Sequence, residues 1–339
     1  MKKDERSGAQ ALVESLAKAG TEVLFGYPGG AVLDIFNCLP DAPFQFVLGR
    51  HEQGCVHMAD GYARSTGKAG VCLVTSGPGA TNTITGLATA NMDGIPLVCI
   101  TGQVPLAQIG TDAFQEADMS GICRAVTKHS FLVQHADEIP EIVAEAFYIA
   151  THGKPGPVVI DIPKNVQQTM TSAQYPERVS LRAYHPESMA TTSQMTRFAK
   201  LVNESKRPVL YAGGGVIASG AAKDVANLAH KAQIPVATTL MGLGSFDERD
   251  PLALGLAGAG EAGLGADMLL IDEGFGTLSG EHLNSAIEAL ERLNAITGSR
   301  KVGVISHVER LRERIRTHIE VTRNGQSPSV VKVVSNALG

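Results

Sequence analysis

Three short segments concentrate the residues whose types could do chemistry. They are Gly26–Gly30, Arg50–Gly54 and Thr75–Asn82, and each is predicted to connect a strand to a helix. Open α/β sheets bind ligands at the carboxyl ends of their parallel strands, because helix amino termini and free backbone N–H groups meet there. Glu52, in the second segment, is therefore placed to act on a ligand. The alternative is a first-turn carboxylate that only complements the helix dipole.

Four residues around Glu52 could also suggest a metal site: His51, Glu52, Cys55 and His57. The zinc-binding spacing H-E-x-x-H fails here, because Cys55 stands where the second histidine should be. His57 would fall on a different face of the helix. We therefore predict no metal site at this position.

The spacing of apolar residues from position 8 to about 165 alternates between short apolar runs and helical periods, which predicts a parallel sheet covered on both faces. An opening helix has Leu12, Val13 and Leu16 at core spacing. The predicted strands are 23–25, 44–48, 71–75, 97–101 and 158–161, and the further predicted helices lie near 52–66, 79–90 and 138–151.

A second α/β unit is predicted after a surface linker at 169–192, which is rich in Ser, Thr, Pro and charged residues. A strand at 207–212 ends in Gly213, Gly214 and Gly215, and a helix at 219–232 and a strand at 234–238 follow. A glycine triplet after a strand allows a backbone to approach a phosphate, but it is about as typical of a plain tight turn. The predicted domains are 1–168, 193–258 and 259–339.

Composition restricts the class of protein. The net charge of −5, with no long basic stripe, makes nucleic acid an unexpected partner. No apolar stretch approaches the length that crosses a bilayer, and the amino terminus lacks a signal-peptide core, so we expect a cytoplasmic protein. The five cysteines lie at 38, 55, 72, 99 and 123 with no C-x-x-C pair, which favours buried thiols over disulfides.

The first half of the chain resembles the pyrimidine-binding domain of thiamine-diphosphate enzymes, specifically of acetolactate synthase large subunits. The resemblance is nearly continuous from about residue 8 to 168 and rests on GYPGGAVLDIF, RHEQGCVHMADGYARSTGKAGVCLVTSGPGATNTITGLATA, PLVCITGQV, IGTDAFQEADMSGICRAVTKHSFLV and GKPGPVVIDIPKNVQ. It continues more loosely through RPVLYAGGGV and IPVATTLMGLGSFDERDPLALG, which are similar to the start of the family's Rossmann-like central FAD-binding domain.

This resemblance implies roles for individual residues. Glu52 would hydrogen-bond the pyrimidine ring of thiamine diphosphate and favour its imino tautomer, so that the cofactor's own nitrogen removes the thiazolium proton. The other implied cofactor contacts are Gly29, Gly30, Ser76, Gly79 and Asn82, with FAD contacts at Arg124, Gly213, Gly214, Gly215, Thr239, Leu240 and Met241. Phe114, Gln115 and Lys128 would lie around the substrate, the last two as catalytic residues. The alternatives are core packing for Phe114 and a solvated strand edge for Lys128 and His129.

The last part of the chain is similar to a different family. Residues 265–325 contain LLIDEGFGTLSGEHLNSAIEALERLNAITGSRKVGVISHVERLRERI, which resembles the carboxy-terminal lobe of SbcC-type, SMC-like ATPases of the ABC type. The resemblance implies that Asp272 holds a magnesium shell, Glu273 orients the attacking water and His307 contacts the γ-phosphate. The chain has no G-x-x-x-x-G-K-[ST] loop, and the family's Leu-Ser-Gly-Gly signature does not precede the acidic strand. A strand and a capped helix without activity is the alternative.

Both resemblances are partial. The Gly-Asp-Gly and Asn-Asn signals with which the synthase family holds magnesium and the cofactor diphosphate do not occur, so the expected cofactor contact is the pyrimidine end only, with an incomplete FAD site. Both families can carry a string like Leu252–Leu256, which suggests a join between two coding segments there.

Three functions remain open at this stage. The first is a carboligase that decarboxylates pyruvate and joins the product to a second 2-oxo acid in branched-chain amino acid biosynthesis, as a homodimer or beside a full-length synthase. The second is an SbcC-like ATPase fragment of a DNA-processing nuclease complex. The third is a silent chimeric fragment that pairs with an intact synthase. Because both families' phosphate anchors are absent, we predict no appreciable turnover by this chain alone.

Overall fold

The computed structural model describes residues 5–184, 186, 189–256, 268–272, 301–305, 317–322 and 330–335. The chain forms two compact units, residues 1–206 and 207–339, and each is described separately. In the part of the chain that the structure describes, no helix is both long and apolar enough to span a membrane. The helix Thr192–Glu204 falls within the first unit, whereas the predicted second domain begins at residue 193. The predicted linker and domain boundaries stay predictions.

The strands of the first unit are β1 Arg6–Ser7, β2 Val23–Tyr27, β3 Gln45–Leu48, β4 Gly70–Val74, β5 Leu97–Gln103, β6 His129–Leu132, β7 Pro157–Pro163 and β8 Met170–Thr171. Its helices are α1 Gly8–Lys18, α2 Leu33–Phe36, α3 Glu52–Thr66, α4 Pro78–Thr81, α5 Ile84–Asp93, α6 Met119–Cys123, α7 Ile139–Thr151, α8 Lys164–Gln168 and α9 Thr192–Glu204.

Six strands form the sheet that positions the candidate site. Their order is β3-β2-β4-β5-β7-β6, and every pair is parallel. The central strands β4, β5 and β7 are buried along their whole length, because helices cover both faces of a parallel sheet. The α/β fold with a parallel sheet predicted from the apolar pattern is confirmed.

Helix α1 shows how local sequence and core packing act together. The Ser7 hydroxyl accepts a hydrogen bond from the Gln10 N–H, and the Gln10 side chain accepts one from the Ser7 N–H, which forms a capping box. Leu12 and Leu16 are fully buried and Val13 is nearly so, as their spacing predicts. They pack in one hydrophobic core with apolar residues of the sheet and of α7.

Several predicted elements differ from the structure. The predicted helix 79–90 is two helices, α4 and α5, interrupted at Asn82–Thr83, where the Thr83 hydroxyl donates to the Ala80 carbonyl. A strand that the pattern did not predict, β6, forms one edge of the sheet. Its residues are only partly buried, so its apolar signal is weak.

The prediction that the cysteines are buried thiols is confirmed for four of the five. Cys55, Cys72, Cys99 and Cys123 are buried, Cys38 is half-buried, and all five are free. Cys72 and Cys99 lie side by side in register on β4 and β5. Among the described residues, no group of His, Cys, Asp or Glu side chains could hold a metal ion.

The second unit contains strands β9 Leu210–Ala212, β10 Val236–Thr238, β11 Ala253–Leu256, β12 Met268–Asp272, β13 Lys301–Ile305, β14 Thr317–Thr322 and β15 Val330–Ser335, and helices α10 Gly214–Ala218 and α11 Ala222–Ala232. The first three strands form a parallel sheet in the order β11-β10-β9. Strands β12 and β13 pair parallel, and β14 and β15 pair antiparallel.

The predicted elements of this unit are shorter than expected. Strands β9 and β10 begin after Pro208 and Pro235, and proline has no N–H for a strand ladder. The predicted helix 219–232 is α11 alone, because Gly220 at φ 69° separates it from α10. Residues 253–256, within the string where we expected a join, form the third strand of the sheet.

Candidate active site

Glu52 is positioned by the turn between β3 and α3. Extended backbone at His51 (φ −161°, ψ 141°) ends the turn, and the His51 imidazole accepts a hydrogen bond from the Gln53 N–H at 3.2 Å. Glu52 is then the first residue of α3, where a carboxylate complements the positive end of the helix dipole. The side chain is only 8% exposed, so it does not turn out to bulk water as a simple surface helix residue would.

The Glu52 carboxylate meets the segment that follows β4. One oxygen, Oε2, accepts a hydrogen bond from the Asn82 side-chain amide at 3.0 Å. The other, Oε1, has no hydrogen-bond donor among the described residues. A Cβ placed on Gly79 would stand 3.3 Å from this oxygen and 2.6 Å from Thr75 Cγ2, so only glycine leaves the space beside Oε1 open.

The remaining glycines predicted as cofactor contacts lie in the same place. A Cβ on Gly29 would lie 2.5 Å from Thr75, whose hydroxyl accepts a hydrogen bond from the Ala31 N–H at 3.3 Å. Gly30 has open space around its would-be Cβ. Ser76 is buried and is followed by Gly77 at φ 55°. The structure therefore brings Gly29, Gly30, Ser76, Gly79, Asn82 and Glu52 to the carboxyl ends of neighbouring strands.

Phe114 and Gln115 reach this edge on a long loop between β5 and α6. Phe114 is 88% exposed, so the alternative of core packing is wrong. Gln115 has a left-handed backbone (φ 58°), and its carbonyl oxygen lies 2.5 Å from where a Cβ on Gly77 would stand. The loop therefore packs directly on the segment that carries Gly79 and Asn82.

The structure does not bring Lys128 to Glu52. Lys128 precedes β6, and its N–H donates to Pro157 O at the amino end of β7, whereas Glu52 follows the carboxyl end of β3. Because the strands are all parallel, these are opposite edges of the sheet.

The Lys128 ammonium is already hydrogen-bonded within the chain. It donates to the carbonyls of Ile149 and His152 and to the Tyr184 hydroxyl. Burial lowers the pKa of Lys128 to about 8. The charge of Lys128 joins β6 to the end of α7, so the side chain is not simply solvated. The substrate and catalytic roles that the resemblance implies for it stay predictions.

Arg124 is exposed and follows α6. With Lys128 it borders a cavity of about 360 Å³, which Ser120, Thr127, His129 and Ser130 also line. The predicted FAD contact of Arg124 stays a prediction.

In the second unit the two predicted nucleotide segments are neighbours. Gly213 precedes α10 at the end of β9, and Thr239 follows β10, the adjacent parallel strand. A Cβ on Gly213 would lie 3.6 Å from Thr239 Oγ1, and one on Gly214 would lie 3.1 Å from Met241 Cβ. Leu240 is 70% exposed between them, and Gly215 has open space around its would-be Cβ.

The ATPase-like residues are only partly within the described chain. Asp272 is the last residue of β12, which pairs parallel with β13. Glu273 and His307 lie outside the described residues. The roles that the ATPase resemblance implies for the three side chains stay predictions.

One buried polar cluster escaped the sequence analysis. Asp161, on β7, is 2% exposed and accepts hydrogen bonds from the Thr101 hydroxyl at 2.7 Å and the Gln103 amide at 2.9 Å. Burial raises the pKa of Asp161 to about 7, against the lowering effect of these two hydrogen bonds. The signal that could have found it is a single acid inside the apolar run Val158–Ile162.

Comparison with known proteins gives two family matches. Residues 6–122 match the N-terminal TPP binding domain of thiamine pyrophosphate enzymes, and residues 195–270 match the central domain of the same enzymes. Together the matches cover more than half of the chain. The central-domain match continues through residues 252–256 and past the predicted change of family at 258.

Individual relatives agree with these matches. The chain is 50% identical over 254 residues to a probable acetolactate synthase large subunit of Methanocaldococcus jannaschii, covering 74% of this chain and 43% of the relative. It is 49% identical over 255 residues to the acetolactate synthase isozyme 3 large subunit of Escherichia coli, covering 74% of this chain and 44% of the relative. The acetolactate synthase large subunit IlvB1 of Mycobacterium tuberculosis is 51% identical over 253 residues, with 74% and 41% covered. The chain thus spans less than half the length of these relatives.

Proposed function

Because residues 6–122 and 195–270 of this chain belong to the thiamine pyrophosphate enzymes, we propose that Glu52 and its neighbours hold the pyrimidine end of thiamine diphosphate. The single observation that carries this proposal is the state of the Glu52 carboxylate. It is almost fully buried, one oxygen is held by Asn82, and the other borders the space that Gly79 leaves open.

The residues present fit this end of the cofactor. An aminopyrimidine ring is flat, and it offers a ring nitrogen that a carboxylate can hydrogen-bond. Gly79 has no side chain beside Oε1, so a ring has room on this side of Glu52. Gly30, which follows β2, has no atoms near its would-be Cβ. The described residues do not fit magnesium, since no cluster of acidic, His or Cys side chains lies among them, and we derive no step through a metal ion.

Glu52 would act as a proton carrier at one atom of the cofactor. When bound, thiamine diphosphate supplies a thiazolium carbon that attacks a 2-oxo acid once it has lost its proton. Glu52 Oε1 would share a proton with the pyrimidine ring nitrogen, and the Asn82 amide keeps the carboxylate in one orientation by holding Oε2. Burial excludes water from the carboxylate, which strengthens its hydrogen bond to the ring.

The overall reaction we propose is that of acetolactate synthases: decarboxylation of pyruvate and transfer of the product to a second 2-oxo acid. Phe114 and Gln115 are the substrate-side residues that the geometry supports, since their loop packs on Gly77. The geometry offers no support for Lys128 in this role. We propose that the active protein is a homodimer or a pair with a full-length synthase subunit, and that it works in the cytoplasm.

FAD is a separate part of the proposal. The strand ends that carry Gly213–Gly215 and Thr239–Met241 are adjacent, and the glycines leave backbone exposed to an incoming nucleotide. A titration of FAD fluorescence with the full chain tests this, with Gly215→Val as the variant expected to weaken binding. Unchanged quenching in that variant would rule out the glycine segment as the site.

The test of the Glu52 proposal measures proton removal directly. The exchange of the thiazolium C2 hydrogen of thiamine diphosphate with deuterium is followed by proton NMR, with and without the full chain. We expect the chain to accelerate the exchange and Glu52→Gln to reduce the acceleration by roughly 10²- to 10⁴-fold, the range for general acid–base groups. Glu22→Gln, an exposed carboxylate at the opposite edge, is the matched control and should change nothing. Exchange no faster than in buffer, or equally fast with Glu52→Gln, would reject the proposal.

A second candidate function rests on the parallel pairing of β12 with β13, which places Asp272 beside Ile305. The resemblance to an SbcC-like ATPase lobe implies an acid at the end of such a strand. Magnesium-dependent ATP hydrolysis by the chain would support it, and we expect none because the phosphate-binding loop is absent from the sequence. Co-purification with a full-length synthase, in the absence of either activity, would support the silent pairing fragment.

A further inference from the structure

Asp161 is a buried acid that the proposed reaction does not use. It lies on β7 directly opposite Thr101 on β5, two residues before the carboxyl end of its strand. Its two oxygens accept hydrogen bonds from different donors, Oδ1 from the Thr101 hydroxyl and Oδ2 from the Gln103 amide. A buried carboxyl with both oxygens engaged is costly to maintain, so its partners indicate what it is for.

The Gln103 side chain holds both ends of the loop that carries Phe114, which we call the Phe114 loop (residues 104–118). Its oxygen, Oε1, accepts a hydrogen bond from the Val104 N–H at 2.9 Å, at the start of the loop. Its nitrogen, Nε2, donates to the Ala117 carbonyl at 2.9 Å, near the end of the loop, and to Asp161. The amide must therefore present its nitrogen to Asp161, and a flipped amide would break all three hydrogen bonds.

The Phe114 loop is also held near its start by Leu106, whose N–H donates to Asn165 Oδ1 at 2.9 Å, and it is stiffened from within. The Glu116 carboxylate accepts hydrogen bonds from the N–H groups of Gly110 and Ala113, which lowers the pKa of Glu116. Gln115 keeps a left-handed backbone against Gly77. A loop stiffened in this way and clamped at its two ends is held as one piece, so the clamp contributes to where Phe114 and Gln115 lie.

We propose that Asp161 is a positioning residue whose ionised carboxylate fixes the Gln103 amide, and that this amide holds the Phe114 loop against Gly77 beside Glu52. The consequence for catalysis rests on the proposed function of Glu52, but the clamp itself does not.

Protonation of Asp161 would weaken the clamp. A carboxylate accepts from both donors, whereas a carboxylic acid must use one oxygen to donate, and Thr101 and Gln103 already donate to it. The charge around Asp161 comes from few groups. Strand β5 contributes the neutral Thr101 and Gln103, and β6 places the apolar Leu132 beside Asp161 in register. Helix α8, which follows β7, begins with Lys164. Asp118, at the start of α6, carries a negative charge that raises the pKa of Asp161 beyond the effect of burial.

Amide hydrogen exchange of the full chain tests the clamp without needing any bound cofactor. We expect peptides that cover residues 104–118 to exchange roughly tenfold faster at about pH 6 than at about pH 8 after correction for the intrinsic rate, the change expected for one charge-assisted hydrogen bond. In Asp161→Asn the loop should exchange fast at both pH values. Gln103→Met, which keeps the volume but removes the amide, should behave in the same way, while exchange in β4 stays slow.

The control is Asp60→Asn, another buried carboxyl, which pairs with Arg64 on α3 and has no contact with the Phe114 loop. It should leave loop exchange and its pH dependence unchanged. The proposal is overturned if Asp161→Asn keeps the wild-type pH dependence, if the loop and β4 accelerate equally, or if Asp60→Asn has the same effect on the loop. A failure of Glu52 to accelerate cofactor exchange would leave these outcomes unaffected.

Discussion

The two edges of the six-stranded sheet use their polar residues in different ways. At the carboxyl edge, Glu52 keeps one oxygen without a donor among the described residues, and the glycines beside it leave space open. At the amino edge, Lys128 is saturated by three acceptors and Lys68 pairs with Glu22. When all the hydrogen bonds that a polar group can make are made within the fold, the group stabilises the fold. A polar group that can still accept or donate a hydrogen bond is available to a ligand.

The same contrast separates the residues that the family resemblance singled out. Asn82 donates to Glu52 and the Gln115 backbone lies against Gly77, while Lys128 is engaged elsewhere. The role of Lys128 was implied by the resemblance and stays a prediction. The amino or carboxyl end of the parallel strand beside a residue is what fixes the edge of the sheet at which it lies.

The largest expected effect concerns Asp161 and the pH dependence of stability. Because burial raises the pKa of Asp161 from 3.8 to about 7, its contribution to stability is fully present below about pH 3.8 and is lost as the pH rises through about 7. We expect the free energy of unfolding to fall by about 1.4 kcal/mol per pH unit inside this window, or about 4 kcal/mol across it, relative to Asp161→Asn. Urea-dependent hydrogen exchange of β4 and β5, which lie in the first unit, measures this. Parallel pH profiles in the two proteins would show that Asp161 is not buried as described.

The next prediction tests whether Lys128 is structural. Lys128→Met removes a half-buried donor and leaves two carbonyl oxygens at the end of α7 without it, which should cost about 1–3 kcal/mol of unfolding free energy. Lys154→Met is the matched control, because Lys154 also donates to two backbone oxygens, at 3.1 and 3.3 Å, but is exposed. It should cost less. Acceleration of cofactor C2 exchange should survive Lys128→Met; its loss with normal stability would return Lys128 to the catalytic residues.

Sequence reasoning predicted most of the first sheet because its strands are continuous apolar runs joined by glycine-containing turns. Strand β6 escaped because an edge strand buries less and carries a weaker pattern. The break between α4 and α5 also escaped, since both halves have helical spacing. It depends on two hydrogen bonds that periodicity does not reveal, a local one from Thr83 to Ala80 and a long-range one from Asn82 to Glu52.

The candidate site was predictable where a residue's position along the chain fixes its position in space. Glu52 follows a strand and begins a helix, so its place at the carboxyl edge follows from topology alone. The Asp161 and Gln103 clamp was not predictable, because it depends on the register between β5 and β7 and on the return of a long loop to Ala117. Lys128 could not be placed without β6.

A smaller effect should separate Gly79, at the carboxyl edge, from a glycine outside the candidate site. In Gly79→Ala the new methyl group would meet Thr75 Cγ2 at 2.6 Å and crowd Glu52 Oε1, so we expect roughly tenfold slower cofactor C2 exchange, the size of a typical overpacking cost. In Gly61→Ala, at an exposed position of α3 outside the candidate site, the methyl group would meet nothing within 4 Å, and C2 exchange should be unchanged. Equal rates in the two variants would mean that the space beside Oε1 is not where the pyrimidine binds.

The smallest expected effect is at the amino edge, where Glu22 accepts hydrogen bonds from Lys68 and from the Tyr62 hydroxyl. These bonds lower the pKa of Glu22, so any stabilisation is present above the ordinary pKa of a glutamate and is lost as the pH falls through the lowered value. Water screens this exposed ion pair, and we expect Glu22→Gln, Lys68→Met and the double variant to unfold at the same urea concentration as the wild type. A double-mutant cycle at low and high salt measures the coupling between the two side chains. A clear salt-sensitive coupling would show that the amino edge carries charge interactions as consequential as those around Glu52, and the contrast between the two edges would fail.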